Sequence, residues 1–325
     1  MPLFAMRKES SPGASPNPPV AVRLVEVTDE HEGQRVDNFL FRICKGVPKS
    51  HVYKAIRDGN VRVNKGRIQA DHRLEIGDVV RVPPFRLPAA DAPRAVPPAE
   101  FPVVYEDEGM LVVDKPAGIA VHGGSGVAFG VIERLRAARP QAPMLELAHR
   151  LDRETSGLLM IAKKRKALLG LHHMLREGLG SKRYYALVQG DWVNDRQHIK
   201  LPLLKWTTAS GERRVRVDRE GQTAHTIVTL KKRFGGAYSL VEAELRTGRT
   251  HQIRVHLASS GFPIVGDDKY GDDEVRAHFA RQGFNRMFLH AHQLTIPHPL
   301  TGETLELRAP LPPACEELLN TLESV

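Results

Sequence analysis

Four stretches of this chain carry residues able to do chemistry. In HRLDRETSG one carboxylate, Asp152, stands between Arg150 and Arg153, ahead of the strand-like run at 158–162. SKRYYALVQG puts Tyr184 behind two cations at the start of another such run. RTGRTHQIRVH starts a helix near Thr250 and carries Arg246, Arg249 and Arg254 ahead of the glycine-rich turn GDDKYG. YEDEGMLVVDKPAGIAVHGGSG leaves a strand through Lys115, Pro116 and Gly118 and enters a glycine-rich loop, where backbone can approach a ligand closely. A carboxylate serves as nucleophile or base only when ionised, and a cation within ~4–6 Å keeps it so. Taken alone, an aspartate between arginines is most often half of a surface ion pair worth little. No physical rule requires the four stretches to converge.

Other chemistries find no support. There is no GxxxxGK[ST] phosphate loop and no HExxH, and the glycines of HGGSGVAFG do not satisfy GxGxxG. The 15 histidines include close pairs, such as His251 with His256, but none has a carboxylate or cysteine at ligand spacing, so no metal is expected. Ser156 lies in ETSGL and not in the GxSxG of a nucleophile elbow. Cys44 and Cys315 are far apart and form no disulfide framework, which fits a reducing cytoplasm.

The elements that must position these residues follow from pattern. At 325 residues the chain has room for one large core and a small one. Hydrophobic content of 41%, charged content of 26% and the lack of any apolar run near ~20 residues fit a soluble chain with no membrane span. Residues 1–20, rich in Ser and Pro, read as a disordered tail without an export signal. Between Gly33 and Val82 eleven Lys/Arg face five Asp/Glu, a surplus of six within a net charge of +9, so residues 21–85 form a basic module. Within it, Val36, Phe39, Leu40 and Ile43 have helical spacing stopped by Gly46 and Pro48. A second helix, capped by Ser50, turns Val52, Ala55 and Ile56 inward and ends at Gly59, before strands at 61–64 and 79–82. Lys49, Lys54, Arg57, Arg62 and Arg67 then project from that helix and its turn. Residues 86–100, rich in Pro and Ala, read as a semi-rigid linker. Over 101–325, strands at 110–114, 158–162, 184–188, 223–230 and 238–245 mix with helices at 131–139 and 164–176 without strict alternation. That argues for an α+β fold with a largely antiparallel, mixed sheet.

The order helix, helix, turn, strand in the basic module resembles the small RNA-binding domain named after ribosomal protein S4. HRLD followed by TSG, KRYYALV as KxYxAxV, and GRTHQIRVH followed by GDDKYG resemble the three hallmark motifs of the pseudouridine synthases that modify ribosomal RNA. The resemblance spans 101 to about 311 and implies the pseudouridine synthase fold preceded by a small α/β S4-like domain. It also implies uridine isomerisation without a cofactor, with large-subunit ribosomal RNA as partner and no membrane. By the same resemblance Asp152 carries the reaction, Arg254 is its ion pair and Tyr184 stacks on the target base. Arg150 helps to hold the flipped-out nucleotide. His149, Lys115 and Arg249, with Lys49 and Arg57 on the basic module, are expected to complete the RNA contacts. A monomer is expected, and Arg254→Ala is expected to lose activity without unfolding the domain. Two rivals stay open: a non-catalytic ribosomal-RNA-binding factor, and a base-removing glycosidase whose second acid is Asp107, Glu154 or Asp267.

Overall fold

The computed structural model describes residues 21–28, 31–44, 46–85, 95–124, 127–208 and 211–323, so the expected tail and most of the expected linker lie outside the described residues. The chain divides into two compact units, one on each side of the bond between residues 93 and 94.

In the first unit β1 (Arg23–Glu26) is followed by α1 (Val36–Ile43), α2 (Lys49–Arg57), β2 (Arg62–Val63) and β3 (Val79–Val82). The three strands form an antiparallel sheet in the order β1-β3-β2. Val36, Phe39 and Leu40 of α1 pack with Val52, Ala55 and Ile56 of α2 over Val63, Val80 and Val82 of the sheet. Burial of each such side chain contributes ~1.5–3 kcal/mol, enough for a small core to hold. The expected Ser50 cap is corrected: the helix begins at Lys49 behind Pro48, and no side chain caps it. Proline supplies the extended backbone that ends the preceding segment. Lys49, Lys54, Arg57, Arg62 and Arg67 are all exposed.

The second unit runs β4 (Val103–Glu106), β5 (Met110–Lys115), α3 (Val131–Ala138), β6 (Glu146–Leu147), β7 (Ser156–Ala162), α4 (Arg165–Glu177), β8 (Ser181–Gln189), β9 (Arg196–Ile199), β10 (Leu203–Thr207), β11 (Arg213–Val217), β12 (Thr226–Phe234), β13 (Tyr238–Leu245), α5 (Gln252–Ser259), α6 (Asp273–Arg281), β14 (Leu289–Pro297), β15 (Thr304–Arg308) and α7 (Pro313–Glu323). Among the described residues its main sheet has ten strands, with β4-β5-β7-β14-β8-β13-β12-β9 as the path, β15 beside β14 and β6 beside β7. Among the described residues only β7 and β14 pair in parallel, so the sheet is mixed and largely antiparallel, as the unalternating order of elements predicts. Every residue of β7 is buried, the mark of a strand covered on both faces. One face packs Leu159 and Ile161 against α3 and α5, and the other packs Leu158 and Met160 against Leu168, Leu171 and Met174 of α4.

The parallel junction explains the glycine of TSG. Gly157 has φ +107°, and a Cβ there would sit 2.3 Å from the Ala291 carbonyl oxygen. Only glycine lets β7 approach β14 this closely. At the same junction the wholly buried His290 accepts the Ser156 hydroxyl on Nδ1 at 2.8 Å and donates from Nε2 to the Ala309 carbonyl at 3.3 Å. Arg286 donates to Ser156 Oγ at 2.6 Å, which directs the serine proton to the ring.

Burial, opposed by the Ala309 carbonyl and reinforced by Arg286, pushes the His290 ring down to about 4. In the unfolded chain the ring titrates near ~6.5, so between those values the unfolded state binds a proton that the folded state does not. Stability from this group is therefore full above pH ~6.5 and is lost as pH falls towards 4, by about 3 kcal/mol. Urea unfolding at pH 7 and pH 4 should show His290→Gln losing less stability over that interval than wild type. Parallel losses would contradict the assignment.

Candidate active site

Asp152 lies in the turn that feeds β7. The turn is pinned by its neighbours: Leu151 and Thr155 are buried, and the Thr155 N–H donates to the Asp152 carbonyl at 3.2 Å. Neither adjacent arginine pairs with the carboxylate. Arg153 donates to the Gly118 carbonyl at 3.1 Å and meets Glu154 at 3.3 Å, while Arg150 is exposed at the cleft wall. The partner comes instead from α5, where Arg254 Nη1 lies 3.4 Å from Asp152 Oδ2.

Arg254 is held by more than this contact. Its Nε and Nη2 form a two-pronged pair with Asp267 at 2.8 and 2.6 Å, Nη2 also reaches Asp268 at 2.9 Å, and its guanidinium lies over the Tyr270 ring, 5.2 Å from the centroid. Burial alone would lower the pKa of Arg254, but its hydrogen bonds to Asp267 and the charges of Asp267, Asp152 and Asp268 raise it above its ordinary value. Burial likewise opposes ionisation of Asp267, and Arg254 with the N–H groups of Lys269 and Tyr270 overcomes it, lowering that pKa. Gly266 makes this acidic turn possible: at φ +80°, a Cβ would lie 2.0 Å from the Arg286 carbonyl oxygen. Within this cluster the side chains of Arg254 and Asp267 are 4% and 1% exposed and that of Asp152 is 20% exposed. The aspartate alone of these three opens to a ligand.

α5 holds Arg254 rigidly because its other inward-facing polar residues, Gln252 and His256, are buried and satisfied. Gln252 accepts from Thr247 Oγ1 at 2.8 Å and from the Arg249 N–H at 3.0 Å, and it donates to the His225 carbonyl and to Thr226 Oγ1, both at 3.0 Å. Thr226 bonds His256 Nδ1 at 2.9 Å, and His256 Nε2 donates to the Leu201 carbonyl at 2.9 Å. Such fully satisfied networks fix one geometry.

Asp152, Tyr184 and Arg254 share a recess of about 70 Å³, which also touches Arg150, Arg249 and His251. Beside it lies a cleft of about 560 Å³, within the ~300–1,000 Å³ of ligand sites, again lined by Asp152 and Tyr184. Its walls carry Arg150, Arg176, Lys182, Arg246 and Arg249, and Asp152 is its one acid among the described residues. Burial and the charge of Asp152 hold the Tyr184 phenol well above its usual pKa, so it stays protonated. Burial pushes the Lys182 ammonium down. The cleft therefore offers one carboxylate, one phenol ring and several cations, which suits a polyanion bearing a flat ring.

The predicted residues fare differently. His149 lines the cleft, but its Nε2 accepts the Met160 N–H at 3.0 Å, and burial with the nearby Lys182 charge pushes it down to about 3. It is neutral and holds the wall in place. Arg249 is exposed at the cleft and tied to the Thr223 carbonyl at 3.0 Å. Lys49 and Arg57 belong to the other unit, where both are exposed. Lys115 is corrected as a ligand contact: it is wholly buried, and its ammonium donates to the carbonyls of Pro116, Ile119 and Arg153 at 2.8, 2.7 and 3.0 Å. Burial presses its pKa down to about 7, while three acceptors match the three donors of the charged form. It ties the loop after β5 to the Asp152 turn. The described residues of the glycine-rich loop line neither of these two recesses. The rival second acids are engaged elsewhere. Asp267 is locked to Arg254, Asp107 binds Tyr105 and the Gly109 and Met110 N–H groups, and Glu154 pairs with Arg153.

His251, Tyr270, Lys182 and Arg176 were not singled out from sequence as site residues. Lys182 had a signal, since it shares a strand face with Tyr184 two residues on. Arg176, in the last turn of α4, had none.

Residues 109–259 match the model of the RNA pseudouridylate synthase family, and residues 34–80 match that of the S4 domain. The chain is 48% identical to the ribosomal large subunit pseudouridine synthase C of Pasteurella multocida, over 93% of this chain and 94% of that protein. It is 47% identical to the Escherichia coli protein of the same name, over 94% and 98%. Among solved structures, human RNA pseudouridylate synthase domain containing 4 is similar at 26% identity, with a TM-score of 0.56, covering 68% of this chain and 92% of that one.

Proposed function

The chain belongs to the RNA pseudouridylate synthase family, and from that membership we propose that it isomerises specific uridines of large-subunit (23S) ribosomal RNA, using Asp152 and no cofactor. The bond from uracil N1 to ribose C1′ breaks, the ring turns, and C5 bonds to C1′. C5 loses a proton and N1 gains one, so the reaction is redox-neutral. The carboxylate of Asp152 acts on the ribose or on the base, both routes need the carboxylate form, and Arg254 Nη1 lies 3.4 Å from its Oδ2.

The observation that carries this reading is Asp152 as the one acid, among the described residues, of a cleft walled by cations and by Tyr184. A uridine must leave its stack to reach a carboxylate so placed, at a cost of a few kcal/mol that is least in loops and bulges. Tyr184 offers a ring for the flipped base. Arg150, Arg249 and Lys182 offer charge to its phosphates. Such an RNA substrate goes with the cytoplasm. Nucleoside analysis of ribosomal RNA incubated with the protein tests the proposal: pseudouridine should accumulate, whereas free uracil would identify a glycosidase and unchanged uridine a binding factor.

The first unit supplies affinity and not chemistry in this reading, because Lys49, Lys54, Arg57, Arg62 and Arg67 are exposed on it. Phosphate contacts make log Kd vary with log salt by about 0.7–0.9 per contact. Removing residues 1–85 should raise KM for RNA and flatten the salt dependence of binding by about two or more contacts while kcat stays near wild type. An unchanged salt slope after truncation would reject this division of labour.

A further inference from the structure

His251 is a non-glycine residue in the left-handed region, with φ 53° and ψ 21°, at the junction where the RTGRT loop enters α5. This conformation is costly for a histidine and persists where the surroundings fix it, often at functional sites. Its side chain is 14% exposed and lies between two groups of the recess: Nδ1 is 2.8 Å from Tyr270 Oη, and Nε2 is 3.9 Å from Asp152 Oδ2. The Val215 N–H, fixed in β11, donates to Tyr270 Oη at 2.9 Å and takes one of its lone pairs. The phenolic proton is then directed to Nδ1, and the ring proton of His251 sits on Nε2, facing Asp152. Burial, opposed by the Asp152 charge and reinforced by Arg254 and Lys269, keeps the imidazole below its usual pKa and hence neutral. Arg254 Nη1 approaches the same Oδ2 at 3.4 Å, and among the described residues Asp152 Oδ1 has no hydrogen-bond partner.

We propose that His251 is a positioning residue which, in the tautomer set by Tyr270, joins Arg254 in holding Oδ2 of Asp152, so that Oδ1 is the oxygen presented to the target nucleotide. The inference rests on the reading of Asp152 as the catalytic carboxylate. The 3.9 Å gap closes to a hydrogen bond in the RNA complex, as catalytic contacts that are long in a free protein do. A carboxylate held by one donor swings about Cβ–Cγ, and a second donor on the same oxygen removes that freedom.

The test is single-turnover pseudouridine formation at saturating RNA, with RNA Kd and thermal melting measured alongside, for wild type, His251→Asn, His251→Gln, Tyr270→Phe and the double variant of His251→Asn with Tyr270→Phe. Asn tolerates the left-handed backbone but lacks a donor that reaches Asp152, whereas the amide nitrogen of Gln reaches the position of imidazole Nε2. His251→Asn should fold, bind RNA like wild type and slow the rate about 100-fold, with His251→Gln recovering about tenfold of that loss. Tyr270→Phe should slow it about tenfold alone and add nothing on top of His251→Asn, as expected of two residues in one chain of contacts. A merely structural role predicts the opposite order, with Asn better tolerated than Gln. Wild-type rate in His251→Asn, or Gln no faster than Asn, would overturn the proposal. Asp152→Asn in the same assay separates the two readings: activity retained there overturns the assignment of Asp152 itself, and activity lost there while His251→Asn turns over normally overturns only the role of His251.

Discussion

Asp152→Asn should reduce pseudouridine formation on the order of 10⁴-fold, to background, while RNA affinity stays within about twofold of wild type. The substitution is nearly isosteric, so the turn held by Leu151 and Thr155 has no reason to move. Arg254 keeps its two-pronged contact with Asp267 and its contact with Asp268, so the recess keeps its shape. What disappears is the negative oxygen. Neither a nucleophilic nor a proton-accepting role survives replacement by an amide. Affinity comes from cations such as Arg150, Arg176 and Arg249 and from the exposed lysines and arginines of the first unit, none of which pairs with Asp152. Filter binding beside the activity assay separates the two quantities. A variant that no longer binds RNA would mean that Asp152 organises the cleft and does not act on substrate.

Arg254→Ala should destabilise the second unit by about 3–5 kcal/mol, a large part of the ~5–15 kcal/mol that holds most domains folded. To the inactive but folded variant expected from the sequence, the burial of Arg254 adds a stability cost. Arg254 does not lie on a helix surface: it is 4% exposed and neutralises Asp267, which is 1% exposed and gives both oxygens to it. Removing the guanidinium strands a buried carboxylate, and that penalty exceeds the lost ion pair with Asp152. Adding Asp267→Asn to Arg254→Ala should recover part of the stability and none of the activity. Arg254→Lys should lose activity with a smaller stability cost, because an ammonium cannot reproduce the planar fork. Urea unfolding followed by far-UV circular dichroism measures all three. An Arg254→Ala protein as stable as wild type would contradict the buried-hub role.

Periodicity located both helices of the first unit and the central strands and two helices of the second, because these put apolar residues on the faces that pack, but it gave no sign of β4, β6, β9, β10, β11, α6, β14, β15 or α7. It located α5 only roughly, since Gln252, Arg254 and His256 all point into the interior and leave the helix little amphipathic contrast. The resemblance to the pseudouridine synthases singled out Asp152, Tyr184 and Arg254, and the fold brings the three into one recess from turn, strand and helix. The surroundings of that recess were not legible. Nothing in DKPAG distinguishes a ligand-binding lysine from one caged by three carbonyls, as Lys115 is. Asp267 and Asp268 are adjacent and chemically identical, yet their side chains are 1% and 56% exposed, and only the fold decides which one locks Arg254. The role proposed for His251 gave no signal because it rests on a backbone angle and on a contact with a tyrosine nineteen residues away.

The most direct test of the central claim is tritium release from large-subunit ribosomal RNA labelled at C5 of uridine, with wild type and Asp152→Asn assayed side by side. Rejoining the ring through C5 expels that hydrogen. Wild type should therefore release tritium in proportion to the pseudouridine formed, and Asp152→Asn should release none while still binding the RNA. Equal release by both proteins would contradict the role of Asp152, and free labelled uracil in place of tritiated water would contradict isomerisation itself.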